Sequence, residues 1–213
     1  MKLVVLSDTH LCQHSLDMPE GDMLVFAGDL CGYGRGKEAE VFAEWLDSMP
    51  YKYKIVVAGN HDWPFFKDRG YGHRLFDGIA TYLQDEFVEV GGIRFYGSPW
   101  QPEFCDWAFN LPRGEKLKEK WDKIPNDVDI LVTHAPPAGI LDQVDGMPMG
   151  CSDLYNRVLE VQPKYHIFGH IHTARGVVRR NNIIYVNASI VDDYNAKQND
   201  PIVIDYESGK VVE

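Results

Sequence analysis

Apolar and polar positions fall into blocks along this chain. Residues 2–7, 23–28 and 54–59 are short, nearly unbroken apolar runs. Each stops at a polar cluster: Asp8-Thr9-His10, Gly28-Asp29 and Gly59-Asn60-His61-Asp62. Runs of Val, Leu and Ile this continuous suit strands covered on both faces. Between the second and third runs, Ala39, Phe42, Ala43 and Leu46 recur on one face, which predicts a helix over 37–48. Strand, helix, strand is the alternation of a parallel sheet.

The middle of the chain changes character. Runs at 87–90 and 93–97 flank Gly91-Gly92, a two-residue hairpin signal. A strand over 129–133 ends at His134, and a helix over 152–161 starts with Ser152 as its N-cap. A strand over 165–168 ends at Gly169-His170-Ile171-His172. The C-terminal part reads as antiparallel: 176–180, a turn at Asn181-Asn182, 183–187, then 201–206 and 210–212 around Ser208-Gly209. With no internal repeat or low-complexity linker, the pattern predicts one α/β domain over 1–213, two sheets face to face with helices outside.

At 45% hydrophobic and 25% charged, the composition excludes a disordered or collagen-like chain. No apolar run is long enough to span a bilayer. Met1-Lys2 leads through four apolar residues to Asp8, which is not a signal-peptide pattern. Cys12, Cys31, Cys105 and Cys151 are widely spaced without a CxxC pair and read as reduced thiols, so the expectation is a cytoplasmic protein with no membrane partner. The net charge of −11 argues against a duplex nucleic-acid partner, which requires clustered cations. The one short basic cluster, over 175–180, reads as strand. A small anionic substrate still fits, because bound metal ions reverse local charge.

Five strand-like runs thus end in residues suited to hold a metal: Asp8 and His10, Asp29, Asn60 and His61, His134, and His170 with His172. In open α/β sheets ligands bind outside the carboxyl ends of the strands. A lone Asp after a strand is more often a turn residue, and a lone HxH is easily one packed and one exposed histidine. Five such ends in one chain favour the metal reading. The donor set mixes oxygen and nitrogen without cysteine, which selects borderline divalent ions over calcium or a structural zinc site.

The ordered set Asp8-x-His10, Gly28-Asp29, Gly59-Asn60-His61-Asp62, His134 and Gly169-His170-x-His172 resembles that of the calcineurin-like metallophosphoesterases. A closer likeness is to the metallophosphoesterase-domain-containing (fetal brain protein-like) subgroup. It rests on Ser7-Asp8-Thr9-His10, Gly97-Ser98-Pro99-Trp100-Gln101-Pro102, Trp107-Ala108-Phe109-Asn110, Asn187-Ala188-Ser189 and Asp192-Asp193-Tyr194. The resemblance implies a four-layer α/β/β/α sandwich of two mixed sheets with a dinuclear site at the strand C-terminal ends. It implies that Asp8, His10, Asp29 and His172 hold one ion and that Asp29, Asn60, His134 and His170 hold the other, with Asp29 bridging. The ions are divalent, Mn²⁺ first, with Fe, Zn, Co or Ni as alternatives. His61 would protonate the leaving oxygen, and Asp62 would either fix the His61 ring or cap the helix at Trp63-Pro64. Some animal members carry glycine in place of the first histidine of GHxH and are nearly inactive; this chain keeps His170, so an active form is expected.

The implied activity is hydrolysis of phosphodiesters, of cyclic or other nucleotides, by a hydroxide bridging the two ions. A phosphomonoesterase or protein phosphatase is the enzymatic alternative, and a low-activity nucleotide-binding regulator the non-enzymatic one. Gly32-x-Gly34-x-Gly36 lacks the Lys-Ser/Thr of a phosphate loop and reads as a flexible loop lining the site. Trp100, Trp107 and Phe109 read first as packing, with a nucleobase contact as the alternative. His166, mid-strand, reads as a core histidine.

Overall fold

The computed structural model describes residues 1–192 and 194–212. Asp193, in one of the sequence likenesses above, lies outside the described residues.

The three leading apolar runs form β1 (Lys2–Leu6), β2 (Met23–Ala27) and β3 (Tyr53–Val57), joined edgewise by the short β4 (Thr81–Tyr82). Neighbours in this series pair in parallel. The Gly91-Gly92 signal gives the hairpin β5 (Glu86–Val90) and β6 (Ile93–Ser98). Two short segments, β7 (Gln101–Pro102) and β8 (Asn110–Leu111), pair with each other, and β9 (Ile130–Thr133) lies parallel to β6. A small ribbon, β10 (Gln143–Val144) with β11 (Met147–Pro148), precedes β12 (Tyr165–Phe168), β13 (Gly176–Arg180) and β14 (Ile183–Asn187). The last strand, β15 (Ile202–Asp205), leaves this second sheet and pairs antiparallel with β1. The sheets run β15-β1-β2-β3-β4 and β13-β14-β12-β9-β6-β5. The C-terminal part is antiparallel in the β13–β14 hairpin, in β15 against β1 and in the return of residues 210–212 onto β15, where Ile204 bridges Val211, whereas β14 itself lies parallel to β12.

Period-two alternation divides each strand between two cores. Leu3, Val5, Val25 and Ile55 face Phe95, Ile130, Val132 and Ile167 between the sheets. Val4, Leu6, Leu24 and Phe26 point the other way, onto Phe42 and Leu46 of α1 (Gly36–Ser48) and onto Phe65 of α2 (Trp63–Lys67). The short α3 (Tyr71–Leu75) completes that layer. On the far side, Leu131, Phe168 and Tyr185 pack against Trp121 of α4 (Glu115–Trp121) and Leu154 and Val158 of α5 (Ser152–Val161). The result is an α/β/β/α sandwich. Cys151, not Ser152, occupies the N-cap of α5. Among the described residues no helix is long and apolar enough to cross a membrane, and all four cysteines are free thiols.

Candidate metal centre

The carboxyl ends of β1, β2 and β3 in one sheet and of β9 and β12 in the other converge. Backbone bonds tie them together: Asp8 N–H donates to the Gly28 carbonyl at 2.8 Å, and Gly169 N–H to the His134 carbonyl at 2.9 Å. The convergence demands close approach. A Cβ on Gly59 would overlap the Asp29 carboxylate and the His134 ring, and one on Gly169 would overlap Ser7 Oγ and the Asp8 carboxylate. Four of the expected ligands, Asp8, His10, Asp29 and His170, sit in the left-handed region at φ of 54°, 39°, 61° and 69°. Each such non-glycine residue costs about 1–3 kcal/mol, held by the surrounding structure.

This convergence groups donors within reach of one ion. Atoms of Asp8, His10 and His172 lie mutually within 4.8 Å, as do those of Asp29, His134 and His170, and those of His10, Asp29 and His61. Asp29 Oδ2 stands between His10 Nε2 at 3.6 Å and His134 Nε2 at 3.3 Å, while Oδ1 accepts the His61 N–H at 2.8 Å. Asn60 Oδ1 is 2.8 Å from His134 Nε2, and His172 Nε2 is 3.5 Å from Asp8 Oδ1.

The ring orientations follow from backbone carbonyls. Nδ1 of His10, His134 and His172 lies 3.2, 2.9 and 2.9 Å from the carbonyls of Cys31, Ala27 and Asp192. A bond donated from Nδ1 leaves Nε2 bare and aimed inward, the arrangement that orients metal-ligating histidines. His10 Nε2 is buried with no hydrogen-bond partner. An orphaned buried nitrogen among carboxylates and further imidazoles fits a divalent cation, and the N/O donor set present suits a borderline one.

Burial opposes charge on each of these groups. It depresses His10 and takes His170 down to about 3. Burial also pushes Asp8 up, but the His172 ring beside it prevails and holds Asp8 at about 2. Asp29 is likewise held well below the carboxylate range by His134, against its own desolvation. In return, and again against burial, Asp29 lifts His134 to about 9 and Asp8 lifts His172 to about 9. A cation taken by either histidine must displace its proton, so metal uptake strengthens as pH rises toward 9.

Asp62 departs from both roles expected of it. It stands at the N-cap of α2 without making a cap bond, and its carboxylate does not reach the His61 ring, whose Nδ1 instead lies 2.6 Å from the Gly32 carbonyl. Asp62 Oδ2 accepts the N–H groups of Gly59, Asp29 and Leu30 at 2.7, 3.1 and 3.4 Å, and Oδ1 that of Cys31 at 2.9 Å. It splices the loop after β3 to the loop after β2. Burial lifts its carboxyl to about 6, with the nearby Asp29 charge adding to the rise.

The glycine-rich loop does line the site, through Gly32. It is pinned rather than loose, because Tyr33 and Arg35 N–H both donate to Glu38 Oε2 at 2.9 and 3.2 Å. Trp107 stacks on the His61 ring at 4.0 Å, a contact no local pattern announces. Trp100 and Phe109 pack together edge-to-face, as the packing reading has it. His166 is fully buried, with Nε2 2.9 Å from Thr133 Oγ1.

The chain is similar to several known proteins. Metallophosphoesterase domain-containing protein 1 of Homo sapiens is 44% identical over 229 aligned residues, covering 96% of this chain and 70% of the relative. UPF0046 protein K07C11.7 of Caenorhabditis elegans is 40% identical, covering 95% of this chain and 74% of the relative. Among solved structures, TT1561 of Thermus thermophilus superposes with a TM-score of 0.65 at 13% identity, over 99% of this chain and 96% of that one. An archaeal phosphodiesterase does so at 0.53 and 13%, over 99% and 97%. These distant structures speak for the sandwich alone. The family model for calcineurin-like phosphoesterases matches residues 1–174, from β1 through the loop that carries His170 and His172, and to that family the chain belongs.

Proposed function

We propose that this protein hydrolyses phosphodiesters, of cyclic or other nucleotides, using two divalent ions that share Asp29. The observation that carries this reading is the position of Asp29 Oδ2 between His10 and His134, with Asp8 and His172 grouped on the His10 side and His170 on the His134 side. Asp8, His10, Asp29 and His172 would hold one ion, and Asp29, Asn60, His134 and His170 the other; the mixed donors suit a borderline divalent ion, with Mn²⁺ our first choice ahead of Fe, Zn, Co or Ni. Such a pair clamps the attacking and leaving oxygens of an in-line displacement and lowers the pKa of water toward neutrality.

The remaining residues position and move protons. Asp62 holds the loops that carry Asp29 and Asn60. His61, fixed at Nδ1 by Gly32 and stacked on Trp107, would give a proton from Nε2 to the departing oxygen when both its nitrogens are protonated. The four free thiols fit a cytoplasmic setting.

Comparing kcat/KM for a nucleoside phosphodiester and a phosphomonoester at matched Mn²⁺ tests the reading. The diester is expected to be preferred. A monoester preference would replace it with a phosphomonoesterase or protein phosphatase, and tight nucleotide binding without turnover of either would replace it with a binding role.

A further inference from the structure

Beside His170 and His172 opens a cleft of about 320 Å³. Its apolar walls include Phe104, Val144, Met149 and Ile171, and beside the two histidines its polar members are Glu103, Arg113 and Thr173. The walls are built from separate segments and braced. Asn110 Nδ2 donates to the carbonyls of Phe104 and Cys105, both at 3.0 Å, and Asn110 Oδ1 accepts from Gln101 Nε2 at 2.8 Å. These bonds hold the Phe104 loop by its backbone and leave its ring half-exposed, edge-on to the His170 ring at 6.4 Å. On the other side, Arg113 Nη1 and Nη2 donate to the carbonyls of Gly150 and Met149, each at 2.7 Å.

We infer that this cleft seats an uncharged aromatic ester group of the substrate, with its ring against Phe104; the inference rests on the phosphoesterase reading above. The cleft is continuous with the histidines expected to hold the ions, so a group esterified to a phosphoryl centre there enters it directly. Its volume lies at the lower end of the roughly 300–1,000 Å³ of small-ligand sites, which suits one ring system. Glu103 and Arg113 offset one another in charge, so the cleft offers a second anion no net attraction. An exposed aromatic ring beside apolar walls favours a ring partner, since aromatic pairs add attraction to area burial.

Calorimetric titration of the Mn²⁺-loaded protein with phenylphosphonate and with methylphosphonate tests this without turnover. The phenyl compound is expected to bind roughly ten-fold tighter, the effect of burying part of one ring. Phe104→Ala and, separately, Val144→Asn should reduce that preference to within about two-fold while leaving methylphosphonate binding unchanged. Equal affinities in the wild type, or equal weakening of both ligands in the variants, would overturn the inference. Binding of neither phosphonate would reject the phosphoryl site and its cleft together. A retained phenyl preference with no diester turnover would reject the catalytic reading alone.

Discussion

The two ends of the same pair of sheets follow opposite rules. At the amino ends of β6 and β9, Arg94 Nε and Nη2 donate to the two Asp129 oxygens at 3.0 and 2.9 Å, and the Asp129 N–H returns to the Arg94 carbonyl at 2.8 Å. Nearby, Lys2 N–H donates to Asp22 Oδ2 at 2.7 Å. Asp22, Arg94 and Asp129 each have a direct partner there, and Lys2, Asp22, Arg94 and Asp129 all avoid the left-handed region. At the carboxyl ends, Asp8, His10, Asp29 and His170 occupy that region, buried carboxylates face imidazoles at 3.3 to 3.6 Å, and His10 Nε2 has no partner. One end is arranged for stability alone. The other holds strained backbone around converging nitrogen and oxygen donors, an arrangement that a bound cation would stabilise.

The sharpest way to break this contrast is at His61. His61→Gln should lower kcat/KM for an alkyl diester by about 10²–10⁴-fold, the usual worth of general acid catalysis, and distinctly less for a nitrophenyl diester whose leaving group needs no proton. Metal content measured in the same samples should be unchanged. Because His61 lies within reach of His10 and Asp29, a lost ion would make it a ligand, and equal losses on both substrates would reject the acid role.

A smaller effect is expected at Asp62. Asp62→Asn puts an NH₂ group where a carboxylate oxygen accepts backbone N–H groups, so the loops after β2 and β3 lose their splice. Mn²⁺ affinity should fall about 10–100-fold, as for other groups that orient metal ligands, with the fold retained by circular dichroism. Unchanged affinity would mean that the strand ends hold their positions without it. The smallest effect belongs to the opposite end of the sheets. Arg94→Ala removes a pair whose arginine is 40% exposed, so solvent screening should leave the denaturant midpoint only slightly lowered. Diester kcat/KM should not move, and a large fall would show that the two ends are not independent.

Much of this molecule is legible in the chain. The apolar runs ending in Asp, Asn and His mark β1, β2, β3, β9 and β12 within a residue or two, because strands buried on both faces leave a continuous apolar signature. The expected ligands declare themselves by type and place. Four things are not legible, for distinct reasons. The five-residue α2 and α3 are too short for a helical period to register. The pairing of β15 with β1 joins the two ends of the chain, a choice that no local pattern encodes. The role of Asp62 depends on where Asp29–Cys31 come to rest, since its acceptors could equally have served α2 or the His61 ring. The Phe104 cleft is assembled from segments near residues 104, 113, 144 and 171, each ordinary alone.

The central claim is that the strand ends hold two cations sharing Asp29. Elemental analysis of Mn²⁺-saturated wild type and His170→Gly after gel filtration tests it most directly, with turnover measured on the same samples. Two ions per chain are predicted for the wild type. The variant should weaken only the ion that Asp29, Asn60 and His134 still contact, with a large fall in turnover and an intact fold. At most one ion in a fully active wild type, or two ions and wild-type turnover in the variant, would contradict it.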